Sequence, residues 1–211
     1  MTPQALIAAL DYGSVLVFAL TGALVASRAQ LDPVGFVFMA ALTAVGGGTL
    51  RDLILGRAVF WVVQPTYILI AAAAALLVFW TAHLFESRYR LLIWLDSVAL
   101  SVAVAAGVGV ALETGFGPVI VIIMGISTGT FGGLMRDVVG NEVPLVLKQG
   151  ELYLTAAFGG ALAAVLLDTA GFDDEEALLA CAAVVWVLRA GSLIRGWRLP
   201  VYRPRPPRRR G

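Results

Sequence analysis

The sequence predicts an all-α integral membrane protein of seven transmembrane helices: two inverted three-helix repeats plus a seventh helix, with helices 2 and 5 broken. Composition, apolar run length and internal repetition point to it. The 211 residues are 60% hydrophobic and 14% charged, with a mean hydropathy of +0.89. A soluble domain carries roughly 25% charged and about 45–50% apolar residues. The apolar residues fall into seven stretches near the length of about 20 that a bilayer span requires. The motif Val45-Gly46-Gly47-Gly48-Thr49-Leu50-Arg51-Asp52 returns 85 residues later as Thr130-Phe131-Gly132-Gly133-Leu134-Met135-Arg136-Asp137. The register holds without a gap: Asp11 falls on Asp96, Gly22 on Gly107, Pro33 on Pro118, Met39 on Met124 and Thr43 on Thr128.

In chain order, the first repeat (1–90) holds spans 11–27, 33–54 and 64–84. The second repeat (91–170) holds spans 91–111, 117–139 and 151–168. A seventh span, 175–194 within 171–194, has no repeat partner and is expected to brace the other six; residues 195–211 form a basic tail. Three spans per copy reverse the chain direction, so the second copy inserts upside down. Inverted repeats place a shared site near the midplane, on discontinuous helices. The tail arginines Arg195, Arg198, Arg203, Arg205, Arg208, Arg209 and Arg210 face no acid, whereas Asp173, Asp174, Glu175 and Glu176 precede the last span. Positive charge marks the cytoplasmic side, which puts the C-terminus inside and the N-terminus outside. Arg28, Arg88, Arg90 and Lys148 agree, and Arg57 does not. Beside a span, a basic tail reads as a topology signal or a contact for anionic lipid rather than for nucleic acid. The excess of arginine over lysine and the abundant alanine fit a bacterial inner-membrane protein.

Runs of glycine are poor helix formers, each about 0.8–1.0 kcal/mol worse than alanine. Gly46, Gly47 and Gly48, and again Gly132 and Gly133, are therefore expected to unwind spans 2 and 5. Backbone freed in this way must line water or be buried in protein, and exposed carbonyls are ligands for a desolvating cation. Thr43, Thr49, Thr128 and Thr130 would add hydroxyl oxygens. The competing reading is close helix packing through small residues. It suits Gly129 with Gly133, and it is preferred for Ala156, Gly160 and Ala164.

Six charges recur at matched positions of the two repeats: Arg51, Asp52, Arg136 and Asp137 near the ends of spans 2 and 5, and Asp11 and Asp96 near the starts of spans 1 and 4. Intramembrane charge is costly, so these residues should face the bundle interior or water. Four acids against two bases favour cations. Adjacent helix positions diverge, so Arg51 is not expected to face Asp52. The topology puts Arg51 and Asp11 toward the outer side and Arg136 and Asp96 toward the inner, and these two pairings are expected from shared depth. Arg57, Glu142, Glu113 and Asp168 read as span-end residues, and Arg189 as a snorkelling one. His83 reads as an interface residue, Cys181 and Trp186 as packing. Trp61, Trp80, Trp94 and Trp197 read as an aromatic belt. No nucleophile–base pair, phosphate loop or zinc spacing is present, so neither an enzyme nor a cofactor is expected.

These motifs, with Phe60-Trp61, Pro65, Tyr67, Pro144 and Tyr153, resemble the prokaryotic members of the trimeric intracellular cation channel family, a domain family also described as glycine transporters. The resemblance covers nearly the whole chain. It implies a homotrimer with one pore per subunit bounded by kinked helices 2 and 5, conducting potassium and also sodium, with kinks at Gly46, Gly47, Gly48, Gly132 and Gly133. Two departures stand out. Phe131 occupies the place of Gly46, and span 4 has no basic residue after Arg90, so voltage sensing through that span and phosphoinositide dependence are not implied. The sequence is read as a monovalent-cation channel among membrane lipids. The alternatives are a secondary transporter of a small zwitterion such as glycine and a non-conducting scaffold.

Overall fold

The computed structural model describes residues 3–84 and 87–200; the tail arginines beyond residue 200 lie outside them. Eight helices occupy the described chain: α1 (Pro3–Arg28), α2 (Pro33–Ile54), a single turn α3 (Phe60–Val63), α4 (Thr66–Thr81), α5 (Arg88–Glu113), α6 (Pro118–Val139), α7 (Leu154–Thr169) and α8 (Asp174–Arg195). Short 3-10 turns cover Ala82–Leu84 and Leu145–Leu147. Six helices are long and apolar enough to cross a membrane, counting α4 through Leu84. The 16-residue α7 is about 24 Å long at 1.5 Å per residue, shorter than the roughly 30 Å hydrocarbon core. The sixth predicted span therefore begins late. Residues 151–153 precede its helix and belong to the segment described below.

The repeat is written into the helix ends. α1 and α5 start and stop 85 residues apart, and so do α2 and α6. Pro33 and Pro118 open their helices, where the missing N–H costs nothing and φ is already helical. Beyond the C-termini, Gly56 (φ 67°) and its counterpart Asn141 (φ 55°) take the left-handed conformation that turns the chain back. The next amides repeat too: Arg57 N–H donates to Asp52 O at 2.8 Å and Glu142 N–H to Asp137 O at 2.8 Å.

α1 packs on α5 and α2 on α6 across the repeats, while α1–α2 and α5–α6 pack within them. α8 lies mainly against α7 and α5. The α2–α6 contact is reciprocal. A Cβ on Gly47 would strike the Thr128 carbonyl oxygen, and one on Gly132 would strike the Thr43 carbonyl oxygen. Thr43 and Thr128 are repeat counterparts, as are Gly47 and Gly132. Such an exchange of equivalent contacts is the signature of a two-fold axis. The order of the contacts, 43 with 132 and 47 with 128, makes the two helices antiparallel.

This contact corrects the expectation of broken helices. α2 runs helical from Pro33 to Ile54 and α6 from Pro118 to Val139, through every glycine. No stretch is unwound and no row of free carbonyls results. The glycines instead remove side chains where two backbones meet, the packing role small residues play in membranes. Gly46 makes room for the Met135 side chain, and Gly48 for the Phe60 ring, whose Cε1 would lie 2.6 Å from an added Cβ. Gly160 similarly admits α8, with the Cys181 carbonyl at 2.7 Å from an added Cβ.

Alanine in place of an interior helix glycine normally favours the helix by about 0.8–1.0 kcal/mol. At Gly47 and Gly132 the steric clash reverses that sign. Gly47→Ala and Gly132→Ala are expected to lower stability by about 1–3 kcal/mol, a fall of several degrees in Tm in detergent. Gly13→Ala, inside α1 with Val102 Cγ1 at an ordinary 3.6 Å from the added Cβ, is expected to keep or raise Tm.

Candidate functional site

Each repeat ends its second helix in one hydrogen-bonded unit. Arg51 Nε donates to Asp52 Oδ1 at 2.9 Å and Arg51 Nη1 to Asp11 Oδ1 at 3.1 Å. Arg136 Nε donates to Asp137 Oδ1 at 2.8 Å and Arg136 Nη1 to Asp96 Oδ1 at 2.8 Å. The inter-helix pairings expected from the sequence are present. The expected lack of contact between chain neighbours is not. The long arginine side chain reaches round its own helix to the next residue, and the aspartate's second oxygen ties down the returning chain. Asp52 Oδ2 accepts from Phe60 N–H at 2.8 Å, and Asp137 Oδ2 from Leu145 N–H at 2.8 Å. One carboxylate thus stops the helix, neutralises the arginine and anchors the following turn.

All six side chains belong to buried residues; Asp11 is the most exposed at 8% and Arg136 and Asp96 are at 0%. A buried guanidinium is tolerable only with carboxylates and matched donors around it. Arg136 has an extra acceptor, Thr21 Oγ1 at 2.9 Å. Thr21 corresponds to Ala106, so the repeat offered no signal for this contact.

The threonine hydroxyls are oriented by their own helices. Those of Thr43, Thr49, Thr128 and Thr130 donate to the carbonyls of Met39, Val45, Met124 and Ile126, one turn back on their own helices. Thr43 and Thr128 lie at the α2–α6 crossing. Thr49 also accepts from Trp61 Nε1 at 2.8 Å, so this tryptophan fixes α3 onto α2 instead of only marking a membrane interface.

The two ends of the bundle are unequal. At the first-repeat end a cavity of ≈ 330 Å³ reaches Asp11, Arg51 and Asp52, with Arg57, Glu113 and Gln64 also on its wall. Three carboxylates there face two guanidiniums. Tyr67 lines the cavity, stacked on Tyr12 with ring centroids 4.1 Å apart and meeting the edge of Phe60 at 4.7 Å. Arg57 and Glu113 approach to 3.9 Å across the rim. At the second-repeat end Leu145, Leu152 and Tyr153 are buried over the equivalent charges.

Arg189 is a correction. Instead of snorkelling, it is fully buried, donates from Nη1 to Glu151 Oε2 at 3.1 Å, and lies 4.8 Å over the Tyr153 ring. Trp186, expected to be packed, is 45% exposed on the surface of the chain. His83 is exposed in its 3-10 turn and Cys181 is buried. Among the described residues no group of three or more His, Cys, Asp or Glu side chains gathers into a metal site.

A family model described as "Glycine transporter" matches the chain twice, over residues 8–83 and 93–169. The UPF0126 inner membrane protein YadS of Escherichia coli K12 is 36% identical over 92% of this chain and 94% of its own. A UPF0126 membrane protein of Deinococcus radiodurans is 37% identical over 92% and 91%. Among solved structures, the TRIC trimeric intracellular cation channel orthologue from Rhodobacter sphaeroides is 49% identical, with a TM-score of 0.87 over 90% of this chain and 98% of that one. A prokaryotic TRIC channel solved in 0.5 M KCl is 25% identical, with a TM-score of 0.85 over 93% and 100%. The chain belongs to this family of prokaryotic TRIC-type membrane proteins, the same domain family that carries the glycine transporter description.

The unequal burial of the two ends gives unequal costs. Removing one partner of a buried ion pair costs about 3–5 kcal/mol, whereas water offsets the loss at a wetter site. Asp96→Asn is expected to destabilise the protein by about 3 kcal/mol, and Asp11→Asn by clearly less. Thermal or denaturant unfolding of both variants in detergent checks this; equal losses would contradict the assignment of one dry and one wet end.

Proposed function

We propose that the chain is a monovalent-cation channel, passing potassium and also sodium, with one pore in each subunit of a homotrimer. The observation that carries this reading is the cavity that ends on the buried unit of Asp11, Arg51 and Asp52, with an excess of carboxylate on its wall. A narrow, acid-lined mouth bounded by low-dielectric protein concentrates cations. The neutralising arginines hold the acids in place while leaving the site net negative. The path continues along the α2–α6 crossing towards Asp96, Arg136 and Asp137. Pairing lets these charges lie inside the bundle. Family membership and the TRIC channels among its solved relatives support the same conclusion.

The subunit lies in a bacterial inner membrane, in contact with its lipids, with the N-terminus and the cavity outside and the C-terminus in the cytoplasm. The related UPF0126 inner membrane protein and the positive charge of Arg28, Arg88, Arg90 and Lys148 support that placement. Arg51 and Arg136 act as fixed counter-ions. Thr43, Thr128, Gly47 and Gly132 set the width at the crossing.

A second reading has its own support. The family model is described as a glycine transporter, and the cavity presents carboxylates and the Arg57 guanidinium together, a combination that suits a small zwitterion. Single-channel recording in a pure lipid bilayer separates the two. Unitary potassium currents with no saturable glycine flux are expected; saturable glycine uptake into proteoliposomes without unitary currents would replace the channel reading. Under a potassium chloride gradient, Asp11→Asn with Glu113→Gln is expected to move the reversal potential toward the chloride side. An unchanged reversal potential would remove both carboxylates from the ion path.

A further inference from the structure

The covering of the second-repeat end comes from α8, the helix with no repeat counterpart. Two contacts tie α8 to the segment Glu151–Tyr153. Arg189 Nη1 donates to Glu151 Oε2 at 3.1 Å, and Leu152 N–H donates to Ser192 Oγ at 3.0 Å. The Arg189 guanidinium also rests over the Tyr153 ring. Tyr153 in turn reaches the buried charges: its Oη, Asp96 Oδ1 and Arg136 Nη2 lie 3.3, 3.4 and 3.6 Å from the place a Cβ on Gly133 would take. In the first repeat the counterparts of Glu151 and Tyr153 are Thr66 and Ile68, which offer neither a carboxylate nor a phenol, and the cavity there stands open.

The buried side-chain polar atoms without a hydrogen-bond partner among the described residues are Asp96 Oδ2, Arg136 Nη2, Arg189 Nε and Arg189 Nη2. All lie at this one end, Asp96 and Arg136 in the covered charge unit and Arg189 in the tie to Glu151. Unpaired buried donors and acceptors are costly, and water is the partner that satisfies both kinds. Water admitted at this end therefore finds hydrogen-bond partners of both kinds.

We propose that Glu151–Tyr153 is a gate over the second-repeat end of the path, with Tyr153 as its plug and Arg189 on α8 as the latch that holds it shut. Release of the Arg189–Glu151 pair frees the segment to swing from Asp96 and Arg136, and water enters to hydrate the four unpaired atoms. Both ends of the path are then open to water. This proposal rests on the channel reading for its consequence, but not for its geometry.

The test uses full-length protein with Glu151→Gln, a change at a side chain 26% exposed in a loop, and Ser192→Ala as an independent cut of the second tie. Two readouts are taken: open probability in planar bilayers, and hydrogen–deuterium exchange of the peptide covering 151–157. Both variants are expected to raise open probability by about fivefold, the effect of a bias near one favourable contact on a two-state equilibrium, and to speed exchange at 151–157. Unitary currents with unchanged open probability overturn the gate and leave the channel reading standing. Faster exchange with no currents in any protein, wild type included, supports the latch and overturns the channel reading. Unchanged exchange in both variants overturns the latch whatever the currents show.

Discussion

The close approach of two helix backbones sets the rest of this structure. Where Gly47 meets the Thr128 carbonyl and Gly132 meets the Thr43 carbonyl, no side chain separates α2 from α6. Gly22 and Gly107 do the same within each repeat, for α1 on α2 and α5 on α6, each leaving an added Cβ 2.6 Å from the hydroxyl of Thr43 or Thr128. Gly47 and Gly132 thereby join the repeats across their two-fold axis, while Gly22 and Gly107 close each repeat on itself. In lipid, where apolar surface alone gives helices little reason to associate, this close packing is a principal source of their affinity. The positions of the charges follow from it, because the crossing fixes how far Asp11 and Asp96 stand from the ends of α2 and α6.

The arginine–aspartate units then convert a liability into architecture. Each arginine is held by two carboxylates, and one of those carboxylates grips the chain that follows. The units are near-identical in geometry yet differ in exposure. The difference arises outside the motif: Phe60 and Tyr67 line a cavity, whereas Leu145 and Tyr153 are buried at the other end. Two-fold symmetry thus places matched charge units at the two ends of the bundle, and the unmatched α8 is tied to the segment over one of them.

The repeat was legible from spacing, the spans from apolar run length, and the pairs Arg51–Asp11 and Arg136–Asp96 from the shared depth of their members in the membrane. Helix ends for α1, α2, α5 and α6 follow the same register. The role of the glycines was misread. Propensity argues for a break at Gly46–Gly48, but tertiary contact overrides propensity when a partner backbone fills the vacated space. The pairing of Arg51 with Asp52 escaped a rule based on helix-face angles, since that rule ignores the reach of a guanidinium at a helix end. Arg189 was invisible for another reason. Its partners Glu151 and Tyr153 lie in a loop 36 or more residues away, and no repeat counterpart pointed to them. Thr21 was hidden in the same way by Ala106.

The proposed cation path lies between the repeats, entered at Asp11 and continued past the α2–α6 crossing. Crystals soaked in rubidium or thallium salts, measured at the metal's absorption edge, test it most directly. Anomalous density in the cavity beside Asp11 and Glu113, inside each subunit, is expected. Density confined to a central axis between subunits, with the Asp11 cavity free of metal, would contradict it.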